Sequence, residues 1–84
     1  MKNGETLYGI AEQVALEAKR AADIYEPMNG PHEAYAIIKE EFEEFWEEVK
    51  AYSIPKGRDT RANMRLELIQ TAAMCIRTIK DLGL

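Results

Sequence analysis

The sequence predicts an all-α fold, and three observations carry that expectation. Two clusters of helix breakers, Pro27 to Pro31 with Asn29 and Gly30 between them, and Ile54-Pro55-Lys56-Gly57-Arg58-Asp59, cut the chain into three segments. Within each segment apolar residues return every three or four positions. No run alternates convincingly with the two-residue period of a strand.

The first helix is expected from about residue 6 to 25. Thr6 suits its N-cap, and Leu7, Ile10, Val14, Ala18, Ala21 and Tyr25 share one side. The second is expected over 31–53. Pro31 is favoured in a first turn, and the seam Tyr35, Ile38, Phe42, Phe45, Val49, Tyr52 steps four, three, four, three, as in paired helices. On this reading Tyr35 and Trp46 are core aromatics, and His32 is a helix-terminus residue with no second histidine or cysteine at ligand spacing. The third helix is expected over 60–82, closing at Gly83, with Met64, Leu68, Thr71, Cys75 and Leu82 on its seam. Cys75 reads as a small buried apolar residue, and Met28, Met64 and Met74 as gap fillers.

Leu66, Ile69, Ala73 and Ile76 lie well away from the third helix's seam, so this helix requires apolar neighbours on two sides. Three helices from a chain of 84 residues cannot easily enclose it. Residues 1–84 are therefore expected to form a single domain that completes a four-helix-bundle-type core by homo-oligomerisation, as a homodimer or a homotetramer.

Composition bounds the function. The net charge is −4 with 31% of residues charged, which argues against nucleic-acid binding through a broad basic face. No apolar stretch is long enough to span a bilayer and the first residues lack an apolar signal core, so neither a membrane partner nor export is expected. The single cysteine suits a reducing compartment, and the expected location is the cytoplasm.

Seven glutamates fall between Glu33 and Glu48. At roughly 100° per residue, and measured from Phe42, Glu41 sits about 100° round the second helix, Glu48 about 120° and Glu44 about 160°. Glu43 and Glu47 fall on the opposite flank, where Lys39 and Lys50 soften their charge. Measured from Leu68, Glu67 and Gln70 take the matching flank of the third helix, at about 100° and 160°. If the two helices pack through their seams, these pairs converge on one cleft edge. Three carboxylates and an amide oxygen there would suit a hard divalent cation such as Mg²⁺ or Mn²⁺.

Glu40-Glu41-Phe42-Glu43-Glu44 fits the EExxE signature, and with His32-Glu33-Ala34-Tyr35 before it this stretch resembles the MazG-like all-α nucleotide pyrophosphohydrolases. Glu67-Leu68-Ile69-Gln70 stands where that superfamily carries ExxD. The resemblance covers the second and third helices. It implies that Glu41, Glu44 and Glu67 bind Mg²⁺ with Glu40 supporting them, and that a nucleoside triphosphate is cut between its α and β phosphates. Gln70 departs from the pattern: its carbonyl can still face a metal, but the amide carries no negative charge and cannot act as a base, so metal affinity is expected to fall. Glu40 or Glu44 would accept the proton of the attacking water.

Candidate phosphate contacts are Lys19, Arg20, Arg77 and Lys80, although Lys19 and Arg20 also have Glu12, Glu17 and Asp23 as ion-pair partners on their own helix. The alternative is a non-catalytic helical oligomer that serves as a nucleotide-binding or protein-assembly module.

Overall fold

A computed structural model describes residues 4–53 and 57–84. Three helices make up its regular structure: α1 (Leu7–Ile24), α2 (Pro31–Ser53) and α3 (Arg61–Leu82). Of the second breaker cluster, residues 54–56 lie outside the described residues, as do residues 1–3. No helix among the described residues is long and apolar enough to cross a membrane.

Local chemistry fixes the helix ends. Thr6 Oγ1 accepts from the backbone N–H of Gly9 at 2.9 Å, an N-cap that satisfies one free donor of the first turn. The α2 start is held by Glu33, whose carboxylate accepts from the backbone N–H of Asn29 at 2.8 Å and from its side-chain amide at 3.3 Å. Glu33 thus serves as a cap. Asp59 Oδ1 accepts from the Arg61 backbone N–H at 3.1 Å ahead of α3. Gly83 ends α3 in the left-handed region at φ 67°, where a side chain would be strained.

α3 is the central element. α2 lies antiparallel to it: Thr60 at its start donates to the Glu48 carbonyl at 2.8 Å, and Gln70 in its middle meets Glu41. α1 runs parallel to it, with Arg65 holding Glu5 in a two-pronged ion pair at 2.6 Å and Gln13 at 2.8 Å. At the far end Met28 N–H donates to Asp81 at 3.0 Å. α1 and α2 each pack closely on α3, while among the described residues their own backbones stay further apart than 8 Å between Cα atoms.

The core is built from small residues and methionines: Val14, Ala18, Ala21, Met28, Ala34, Ala73 and Met74 are buried, and Ile37, Ile38, Ile69, Ala72 and Leu82 pack against them. Ala73 has no exposed surface at all. This arrangement corrects the expected seams. α2 turns Ala34 and Ile37 inward, while Tyr35, Phe42 and Trp46 are 67%, 56% and 53% exposed and Tyr52 is exposed as well. Tyr35 and Trp46 are therefore surface aromatics in the single chain. On α3, Leu68 and Cys75 are exposed, and Cys75 is not the buried residue expected. Small side chains let helices approach more closely than a Phe or Tyr edge does, so the alanine-rich arcs take the intrachain contacts.

Arg77 is buried with this core. Its guanidinium donates to the Glu26 carbonyl at 3.0 Å and to Met74 Sδ at 3.8 Å, and stands 3.7 Å from Asp81. Through Arg77 and Asp81, α3 fastens both Glu26 and Met28 of the α1–α2 connection. Replacing Arg77 by Met leaves the Glu26 carbonyl without its donor and Asp81 with the Met28 N–H but no cation beside it, and should lower the unfolding free energy by about 2–4 kcal/mol in urea denaturation. Lys80→Ala, at an exposed site three residues on, should change it by less than about 0.5 kcal/mol.

Candidate functional site

The helical geometry sorts the glutamates. Glu43 pairs with Lys39 at 3.0 Å and Glu47 with Lys50 at 2.9 Å, all four exposed or nearly so. These pairs are solvated i,i+4 and i,i+3 contacts on the outer flank of α2. Glu33 caps the helix start, and Glu41, Glu44 and Glu48 interact with groups of α3 or its first residues. One oxygen from each of Glu40, Glu41 and Glu44 lies within 4.8 Å of the other two. From α3, Glu67 shares a hydrogen bond with Glu44.

Gln70 lies between the helices. With its nitrogen facing the carboxylates, its amide donates to Glu41 Oε2 and to Glu67 Oε1, each at 3.2 Å. The opposite orientation would set its carbonyl against two acceptors. Glu41, Glu44, Glu67 and Gln70 are thus brought to a single edge between α2 and α3. The seam packing expected from the sequence is not what assembles them: the acidic flank itself borders the α2–α3 contact.

Two of these carboxylates, Glu67 and Glu41, have a raised proton affinity. Glu67 is half-buried, and its pKa is pushed up from 4.5 to about 7. Burial is the largest cause, followed by the charge of Glu44, the hydrogen bond with Glu44, and the charges of Glu41 and Glu48. Glu41 is raised too, first by burial and then by Glu44, Glu40 and Glu17. Glu17 moves the other way, because Arg20 grips it with hydrogen bonds of 2.6 and 2.9 Å.

Beside this edge, α1, the α1–α2 connection, α2 and α3 enclose a cavity of about 440 Å³. It is lined by Glu40, Glu41 and Gln70 and also by Arg20, Tyr25, Met28 and Arg77. The volume is in the range of small-molecule sites. Of the candidate phosphate contacts, Arg20 and Arg77 line the cavity, with Arg20 engaged by Glu17 and Arg77 by Glu26 and Asp81. Lys19 pairs with Asp23 at 3.0 Å, and Lys80 is exposed near the end of α3; neither lines the cavity.

Two contributors escaped the sequence reading: Glu17, and the Tyr25–Asn29 connection that forms part of the wall. Glu17 follows Val14 by three residues and precedes Ala21 by four, on the buried side of α1. A carboxylate at that helical position is the signal that marks it.

Glu40, Glu41 and Glu44 could hold a metal ion, since each offers a carboxylate oxygen of the kind a hard divalent cation takes. Gln70 presents nitrogen to the carboxylates when its amide is turned to satisfy both of them, and carbonyl oxygen, the atom a metal would take, when it is reversed.

The raised carboxylates make stability depend on pH. A folded chain holding a proton on Glu67 up to about pH 7, which the unfolded chain gives up near 4.5, is most favoured at low pH and loses that stability as pH rises through this window. The melting temperature should fall between those values. Glu67→Gln should flatten the decline and melt above the parent chain at about pH 8. An unchanged slope in the variant would remove Glu67 as its source.

No protein-family model, curated protein or solved structure matches this chain.

Proposed function

We propose that this protein is a metal-dependent nucleoside triphosphate pyrophosphohydrolase, converting an NTP or dNTP to the monophosphate and pyrophosphate. The observation that carries this reading is the shared edge of Glu40, Glu41, Glu44 and Glu67 beside a cavity of about 440 Å³. The resemblance of the α2 and α3 motifs to the MazG-like superfamily supports it.

In this reading Glu41, Glu44 and Glu67 hold Mg²⁺, or Mn²⁺, which supplies charge neutralisation for the triphosphate and its leaving group. Glu40 and Glu44 are exposed carboxylates positioned to take a proton. Water attacks the α phosphorus, the bond from that phosphorus to the α–β bridging oxygen breaks, and the water's proton passes to one of these two. Tyr25, Met28 and Met74 give the cavity apolar surface for a nucleoside, and Arg20 adds positive charge.

A second reading, a non-catalytic helical oligomer that binds nucleotide or assembles with other proteins, is favoured by Gln70, which turns a donor toward the carboxylates.

Both readings include a second copy of the chain. The chain exposes 6482 Å², whereas a monomer of its 9.6 kDa mass is expected to expose about 5,100 Å². That surplus is on the order of 1,000 Å², comparable with the roughly 800 Å² each partner buries in a stable interface. The apolar residues to cover are Tyr35, Phe42, Trp46 and Tyr52 on α2, and Leu68, Ile76 and Ile79 on α3.

Pyrophosphate release from a panel of nucleoside triphosphates with Mg²⁺ or Mn²⁺ should be abolished by Glu41→Gln and unchanged by Glu47→Gln. Equal losses from both variants, or no release from a folded protein, would end the catalytic reading. Light scattering at micromolar concentration should give at least twice the chain mass, and Phe42→Glu should reduce it to the single chain. A monomeric parent chain would overturn the shared oligomer.

A further inference from the structure

We propose that Gln70 is a built-in substitute for a cation, its amide nitrogen tying α2 to α3 so that the acidic edge closes without metal. The edge gathers Glu40, Glu41 and Glu44 from α2 and Glu67 from α3, with the charges of Glu17 and Glu48 also acting on it. The hydrogen bond between Glu67 and Glu44 already joins the two helices once, and the other carboxylates, when ionised, only accept, so a second tie needs a donor from another group.

The neighbouring basic side chains are committed elsewhere: Arg20 to Glu17, Lys39 to Glu43, Lys50 to Glu47 and Arg65 to Glu5. Gln70 is half-buried on α3 one turn from Glu67, and has two N–H groups on one nitrogen. With the amide turned so that nitrogen rather than oxygen meets the carboxylates, that nitrogen stands 3.2 Å from Glu41 on α2 and 3.2 Å from Glu67 on its own helix. One nitrogen therefore bridges the two helices at the point where a metal would otherwise be required. An acidic residue at position 70 would add a carboxylate and remove the bridge, making closure of the edge dependent on a cation. For a cation to take Gln70 as a ligand, which rests on the metal reading above, the amide must turn over and present its oxygen.

The test is thermal melting of the full chain in chelator and in millimolar Mg²⁺ or Mn²⁺, comparing the parent chain with Gln70→Glu, which keeps the shape and exchanges the donor for a charged acceptor. The parent should melt at nearly the same temperature with chelator and with an inert salt of equal ionic strength. Gln70→Glu should melt at least about 5 °C lower in chelator. Recovery on adding the divalent ion supports both the bridge and the metal reading. A loss without recovery supports the bridge and counts against the metal reading alone. Equal melting of parent and variant in chelator would overturn the proposal.

Should the variant fail to fold in either buffer, ¹⁵N-detected solvent exchange of the Gln70 side-chain amide in the metal-free parent chain decides. Slow exchange upholds the bridge, and exchange as fast as that of the exposed Gln13 amide overturns it.

Discussion

The close approach of helices at Ala73 is the constraint on which the rest of this molecule depends. Ala73 sits without exposed surface in a core that draws Ala18 and Ala21 from α1 and Ala34 from α2. A methyl group is all that separates the backbones at such positions, and interiors packed to this density tolerate little added volume. The close contact also brings polar side chains on neighbouring arcs within hydrogen-bonding reach. Glu41 lies beside the α2 arc that carries Ala34 and Ile37, and Gln70 lies three residues before Ala73. Their 3.2 Å contact follows from the alanines as much as from their own chemistry.

That proximity carries an electrostatic cost, met in three different ways. Glu43 and Glu47 take lysine partners on the solvated flank, where screening makes the pairs weak and the burden small. Glu67 and Glu44 share a hydrogen bond, and the raised proton affinity of Glu67 removes a charge where desolvation would make it expensive. Glu41 and Glu67 receive the Gln70 amide. A cation would offset all of these at once, which is why the edge is chemically suited to one. The same edge is satisfied in part by groups of its own, and this tempers how much binding energy a metal would gain there.

Much of this was legible in the sequence, and the limits have a physical origin. Turn chemistry gave the breaks between helices, Thr6 its cap and Gly83 its stop, because these are local properties of the chain. The helical angle also put Glu41, Glu44, Glu67 and Gln70 on matching flanks, since 100° per residue holds wherever a helix is regular. Periodicity tells which residues share a face but not which neighbour covers it. Tyr35, Phe42 and Tyr52 do form a stripe, yet the alanine side of α2 takes the intrachain contact. Glu17 reads from the sequence only as an ion-pair partner, which it is for Arg20, and Arg77 only as a candidate phosphate contact; the burial of each, partial for Glu17, is not foreseen. Both are charged residues on buried arcs, and a charge at such a position reports a specific partner, here Arg20 for one and Asp81 with the Glu26 carbonyl for the other.

α1 packs on α3, and its side-chain ties to that helix span sequence separations of 51 to 60 residues. The α2–α3 pair, by contrast, is a hairpin joined by a short connection, with its first tie between residues 12 apart. Chain-closure entropy therefore favours forming the hairpin before α1 docks. α1 approaches α3 most closely and meets α2 through side chains around the core and the cavity, so the carboxylates of the edge from Glu40 to Glu67 all lie on the hairpin itself. The cavity wall formed by α1 is thus a late addition to the hairpin, so the cavity is complete only once the last long loop of the chain has closed.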